Sequence, residues 1–272
     1  MRGNGKQPTT RRTCMKRNER YTYRILMIAS AVAMIALSSS AVEFDQTHSV
    51  YDGILKKHVT NGLVDYKALK TDSKKLYQYL STLNSVSETT FNSWKEPERI
   101  AFLANLYNAS TLRLILDNYP VKSIKDIGTW RKGPWDQPVV SLFGKKITLN
   151  NLEHDILRKK YNEPRLHMAL VCAAKGCPPL RSEAYTGKRL NEQLDSQSRK
   201  FLTSSAGFVI DREKEIVSIS LIFKWYGTDF KSVSAFVGKY SGQSLDGLKI
   251  RYLDYDWSLN EKAQIKKIKK EV

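Results

Sequence analysis

The chain has 272 residues, 41% of them hydrophobic and 10% aromatic, with 45 Lys and Arg against 27 Asp and Glu for a formal charge of +18. That apolar content is ample for a packed core and excludes an intrinsically disordered chain. No basic-aromatic stripe or nucleic-acid motif accompanies the positive charge, which excludes nucleic acid as the expected partner.

Much of the charge sits at the ends. Eight Lys and Arg between Arg2 and Arg24 face only Glu19, and five lysines after Asn260 face Glu261 and Glu271. Ile25 to Leu37 is an apolar run that ends in small residues, with Ser39 and Ala41 at the minus three and minus one positions of a cleavage after Ala41. Residues 1–41 therefore read as a signal peptide, and the mature protein is expected to be periplasmic or secreted. An uncleaved anchor is the alternative, with membrane contact limited to residues 25–42. Cleavage removes Cys14 and leaves Cys172 and Cys177 in an oxidising compartment, where a disulfide between them is the default.

In chain order, Val50, Ile54, Leu55 and Val59 recur at helical spacing until Asn61-Gly62, and an extended piece follows at Leu63 to Tyr66. A second helix is expected over Asp72 to Leu83, with Leu76, Tyr79, Leu80 and Leu83 facing inward. Pro97 opens a third that runs to Asn118, where Tyr119-Pro120 stops it; apolar almost all round, it reads as the central helix. Asn105 and Asn108 share one face of it with Tyr107 between, and buried amides need partners, either a loop or a ligand.

A hairpin is expected over Val139 to Thr148. A helix capped by Asn150 then carries Glu153 in a capping-box position, with His154 and Arg158 one turn apart. Next comes Arg165 to Leu180, RLHMALVCAAKGCPPL. The unbroken apolar run from Leu166 to Ala174, closed by Gly and two prolines, reads as a buried strand that carries His167 and ends near Cys172, with Cys177 in the loop beyond. Downstream, Leu190, Leu194, Phe201 and Leu202 mark a helix that Thr186 or Gly187 begins, Phe208 to Asp211 and Ile216 to Ile219 read as a hairpin, Leu221 to Phe230 and Ser232 to Tyr240 as short helices, and Leu248 to Tyr255 as a last strand. The fold class is α+β. We expect one compact domain over 42–260, in which the central helix packs against a small mixed or antiparallel sheet, followed by a basic tail over 261–272.

AFLANLYNASTLRLIL (101–116), ITLNNLEHDILR (147–158), RLHMALVCAAKGCPPLR (165–181), IFKWYGTDF (222–230) and YLDYDWSLN (252–260) together resemble a bacterial and plant family catalogued as domain of unknown function number 547. The similarity is strongest over about 97–205. It marks Asn105, Tyr107, Asn108, Glu153, His154, Arg158, His167, Cys172 and Cys177 as motif positions, and its name supplies no activity. This chain departs from the family pattern at Leu103-Ala104, where an aromatic-Ile pair is expected, and keeps the Asn.

Three chemistries use these residue types. In the first, Cys172 is the nucleophile of a thiol-dependent hydrolase or acyltransferase acting on a small-molecule or peptide substrate, with His154 or His167 as base. Glu153, Asn105 or Asn108 then orients the imidazole or donates to an oxyanion, and Tyr107, Arg158 and Cys177 help to bind. Strand alternation places His167 and Cys172 on opposite faces, which favours His154 as the base. In the second, Cys172 and Cys177 form a disulfide in a non-catalytic envelope or ligand-binding domain. In the third, His154, His167, Cys172 and Cys177 hold zinc, although the spacing of the two cysteines is wider than a usual zinc knuckle. The first reading requires no cofactor.

Overall fold

The computed structural model describes residues 43–263 together with Met1. The expected signal segment and most of the basic tail lie outside the described residues. Among the described residues, no helix is long and apolar enough to cross a membrane.

Helix α1 (Ser49–His58) leads into the hairpin β1 (Val59–Thr60) and β2 (Leu63–Val64), which turns at Asn61 and Gly62, both at positive φ. A side chain at Gly62 would strike Cβ of Pro179 at 2.3 Å, so glycine lets this hairpin press against the end of the cysteine loop. Helices α2 (Tyr66–Thr71), α3 (Lys74–Ser85) and α4 (Glu88–Ser93) follow. Leu76, Tyr79, Leu80 and Leu83 of α3 are buried, as their spacing indicates.

Helix α5 (Glu96–Asn118) is the axis of the fold. Pro97 sits in its first turn, where a missing N–H costs nothing, and Glu98 accepts the Lys95 N–H at 2.9 Å. From Ile100 to Leu112 every residue is buried, polar ones included. It is clad by α3, by the turn Gly187–Arg189 and by the strand β3 (Val140–Leu142), which pairs antiparallel with β4 (Lys145–Ile147).

After β4 the chain forms a π-helical turn, Asn151–Leu157, that tightens into Arg158–Lys160. Asn150 does not cap it. Asn150 is itself helical and donates to Asp136, while Thr148 Oγ1 accepts the Asn151 N–H at 3.0 Å. Glu153 is thereby free of a capping-box role and points inward.

The strand expected over Leu166 to Ala174 does not form. Pro164 starts a tight turn, His167 N–H bonds the Pro164 carbonyl, and Leu166–Ala169 closes as the one-turn helix α6. The next residues are extended but pair with no strand; an apolar run shows that a segment is buried, not what shape it takes. Their ladder partner is a side chain. Asn108 of α5 donates to the Ala169 carbonyl at 3.0 Å and accepts the Val171 N–H at 3.0 Å, so one amide satisfies both groups that a neighbouring strand would have met.

Helix α7 (Leu190–Leu202) then carries the chain into a three-stranded sheet. Strands β5 (Phe208–Asp211) and β6 (Ile216–Ile219) form the expected hairpin, and β7 (Lys249–Tyr252) adds in parallel to β6 after helices α8 (Ile222–Trp225) and α9 (Val233–Ser241). This sheet covers a second apolar cluster built around Phe201, Val217, Ile219, Phe223 and Val237. The residues after β7 run back across the molecule as a strap. Lys175 N–H bonds Ser258 O, Gly176 N–H bonds Asp256 O, Asn260 N–H bonds Ala173 O, and Val64 N–H bonds Asn260 O.

Candidate functional site

A cleft of about 280 Å³ opens where α5, the π-helical turn, the cysteine loop, α8 and the strap meet. Tyr107, Glu153, His154, His167, Cys172 and Cys177 all line it, so six side chains proposed from sequence converge. Five aromatic residues, Trp135, Trp225, Tyr226, Tyr255 and Trp257, complete the wall.

The π-helical turn delivers Glu153 and His154 to the cleft side by side, and turns of this kind recur at functional sites because the extra residue redirects side chains. Glu153 is buried, accepts Tyr107 Oη–H at 2.8 Å and is also bonded by Tyr226. Burial, and next the Glu153 charge, push the Tyr107 phenol well above its usual value, so it remains a donor.

Arg158 ties the two histidines together. Its Nη1 lies 2.8 Å from His154 Nδ1, and a guanidinium only donates, so that nitrogen is an acceptor and the ring proton sits on Nε2. Nε and Nη2 of Arg158 grip both oxygens of Asp229 at 2.6 and 2.8 Å. This fork is the main reason that the Asp229 carboxyl falls to about 2, and His167 adds to the effect. Asp229 Oδ2 in turn meets His167 Nε2 at 2.7 Å. Since Asp229 is a carboxylate, His167 donates from Nε2 and keeps its lone pair on Nδ1, which no hydrogen bond engages among the described residues. Burial lowers the His167 pKa despite Asp229, so the ring is neutral at neutral pH. Tyr226 stacks on it at 4.3 Å between centroids, with Arg158 4.9 Å from the same phenol ring.

Both thiols are free. Cys172 Sγ lies 3.2 Å from Tyr255 Oη on the strap. Its pKa is lowered, first by the Cys177 thiol and then by Tyr255 and the Ala174 N–H, against burial and the Glu153 charge. Burial, and next the neighbouring Cys172, push the Cys177 thiol well up, and burial above all does the same to the Tyr255 phenol. Cys172 is therefore the more acidic thiol of the pair, held by two groups that keep their protons. Cys177 Sγ also accepts the Cys172 N–H at 3.0 Å.

The backbone here is bent to serve that arrangement. Ala173 adopts a left-handed φ of 58°, disfavoured by about 1–2 kcal/mol for a residue with a Cβ. Gly176 passes directly under the strap, where a Cβ would stand 2.8 Å from Asp256 N and 3.1 Å from the Tyr255 ring.

The remaining sequence candidates hold the walls. Asn108 braces the extended segment, and Asn105 makes the equivalent pair of bonds, 2.8 and 3.0 Å, to the backbone of Tyr185. Arg158 is occupied by Asp229 and His154. The argument that alternation separates His167 from Cys172 lapses with the strand: His167 stands on a helical turn and reaches the same cleft. Among the described residues, no group of three or more His, Cys, Asp or Glu is placed to hold a metal ion, and the Arg158 guanidinium on His154 Nδ1 sets positive charge where a cation would approach. Sequence reasoning missed Asp229 and Tyr255. Each is a polar residue inside an aromatic motif, WYGTDF and YLDYDW, which is the signal that could have marked them.

No curated protein and no solved structure matches the chain. Residues 91–202, which run from α4 through α5, the π-helical turn and both cysteines to the end of α7, match the family described as protein of unknown function, DUF547.

Proposed function

We propose that the protein is an exported thiol-dependent hydrolase or acyltransferase whose nucleophile is Cys172. The observation that carries this reading is the sulfur's setting: Cys172 Sγ lines an open cleft and is held by a phenol, a second thiol and a backbone N–H, all of them donors. Donors around one sulfur favour the thiolate, which is the attacking species in acyl transfer. The order of basic, apolar and small residues over 1–41 supports export.

The two histidines then divide the work. His167 Nδ1 takes the proton of any Cys172 thiol as sulfur attacks an acyl carbon, and Asp229 stabilises the imidazolium that results. The same proton passes to the leaving group as its bond to the acyl carbon breaks. Water, or an acceptor alcohol or amine, next attacks the thioester, gives its proton to Nδ1 and releases Cys172. His154 offers Nε2–H and serves as a donor to the acyl oxygen, because Arg158 fixes its tautomer. Aromatic walls beside the Glu153 charge favour a neutral acyl group, in a small molecule or a peptide, over an anion.

Incubation with a p-nitrophenyl ester tests this. We expect an acyl adduct on Cys172 by peptide mass mapping, none in Cys172→Ser, and an adduct that persists longer in His167→Gln. Equal ester turnover by wild type and Cys172→Ser would reject the reading.

A further inference from the structure

We propose that Cys172 is a site of reversible oxidation by hydroperoxides, and that Cys177 is the thiol that resolves the oxidised sulfur into a disulfide. This rests on how the loop brings Cys177 against Cys172 and not on acyl transfer.

The geometry of the pair points there. Cys177 Sγ stands 3.0 Å from the backbone nitrogen of Cys172. The left-handed turn at Ala173 and the bond from Cys177 N–H to Ala174 O fold the loop back so that these side chains meet. The strap clamps the loop in that shape through Lys175, Gly176 and Ala173. Both cysteines line the cleft, Cys172 half-buried and Cys177 buried.

Acyl transfer by itself does not explain a second sulfur. The work that Cys177 does on Cys172 N–H is acceptor work, and a serine hydroxyl is the stronger acceptor for it. A buried thiol in contact with a nucleophilic one is suited instead to attack a sulfenic acid. The order of events follows from position and acidity: the half-buried Cys172, the more acidic thiol, meets the oxidant in the cleft, and the buried Cys177 follows.

The steps balance. The Cys172 thiolate attacks the terminal oxygen of a hydroperoxide; the S–O bond forms, the O–O bond breaks, and the departing alkoxide takes a proton from water, leaving as an alcohol and releasing hydroxide. Sulfur is oxidised by two electrons to a sulfenic acid, which keeps the peroxide's own proton, and the peroxide is reduced by two. Cys177 sulfur then attacks Cys172 sulfur, and the Cys177 thiol proton leaves with the hydroxyl as water. A dithiol reverses the result by exchange, ending as its own cyclic disulfide.

Intact mass and alkylation of the native protein, titrated with cumene hydroperoxide, test the proposal without any substrate, so failure of the acyl-transfer reading leaves it standing and the reverse also holds. We expect a loss of about 2 Da at stoichiometric oxidant, a fall of more than about tenfold in iodoacetamide labelling of Cys172, and recovery of both with dithiothreitol. In Cys177→Ser, or in Cys177→Ala should the first variant fold poorly, a dimedone-trappable sulfenic acid should appear on Cys172 and pass on to sulfinic acid. A native protein that gains about 32 Da at Cys172 while Cys177 stays alkylatable would overturn the proposal, and so would one whose mass does not change.

Discussion

Arg158 Nη1 donates to His154 Nδ1 at 2.8 Å while the rest of its fork holds Asp229, which in turn holds His167 Nε2. One cation thereby fixes the tautomers of two imidazoles that both stack with Tyr226, and leaves complementary nitrogens on the two rings: a donor at 154 and an acceptor at 167.

Arg158→Lys keeps the charge and loses the fork. In nitrogen NMR of the wild type, His154 Nδ1 should resonate as an unprotonated nitrogen and Nε2 as a protonated one, whereas the variant should show a mixture of tautomers. Unfolding free energy should fall by about 1–3 kcal/mol, the usual contribution of hydrogen bonds to charged groups. A protonated His154 Nδ1 in the wild type contradicts the arrangement.

Asn108→Ala strands the Ala169 carbonyl and the Val171 N–H in the core. Urea denaturation should show a loss of about 2–4 kcal/mol, and the Val171 amide should exchange much faster with deuterium. Asn105→Ala removes the same kind of pair at Tyr185 and should destabilise by a comparable amount. Only the Asn108 variant should alter labelling of Cys172, because only that amide braces the segment leading to the sulfur.

These two asparagines show what could be read from the chain beforehand. A polar residue in an all-apolar helix must have a partner, so Asn105 and Asn108 announced themselves, and so did the helix, both hairpins and the approach of Glu153 and His154 to the cysteine loop, whereas strand alternation set His167 on the face away from Cys172. The partner's identity was not in the pattern. A side-chain amide that stands in for a strand leaves the same apolar run, Leu166 to Ala174, that a real strand would leave. Asp229 and Tyr255 lie about 60 and 80 residues beyond the cysteine loop. Only the return of the chain through α8 and the strap brings them to His167 and Cys172, and no local periodicity encodes that return. The π-helical turn escaped notice for a related reason, since one extra residue per turn barely disturbs the spacing of Leu152, Ile156 and Leu157.

Gly176→Ala inserts a methyl group against backbone and a packed ring rather than a flexible side-chain end. The strap must shift, carrying Tyr255 away from Cys172. Stability should drop by about 1–3 kcal/mol, and the Cys172 pKa should rise toward that of an ordinary thiol. Unchanged labelling kinetics in this variant would contradict the role assigned to the strap.

Stability should also fall with acidity in two windows. Burial lowers His48 to about 4, below its unfolded 6.5, so the native state resists a proton that the unfolded chain accepts; its contribution is complete above 6.5 and lost between 6.5 and 4, by up to about 3 kcal/mol. Asp229 lies at about 2, below its unfolded 3.8, so its contribution is lost between about 4 and 2. Urea titrations from pH 7 to pH 4 should show this slope, and His48→Gln should flatten its upper part. A stability that rises as pH falls from 6.5 to 4 would contradict the His48 assignment.

The pH dependence of iodoacetamide labelling at Cys172, followed by peptide mass mapping in the wild type and in Tyr255→Phe, tests the nucleophile most directly. A thiolate held by Tyr255 and Cys177 should label with a midpoint below the 9.0 of an unperturbed thiol, and the midpoint should move up when the phenol is removed. A midpoint at or above 9.0 in the wild type, unmoved in Tyr255→Phe, contradicts the account.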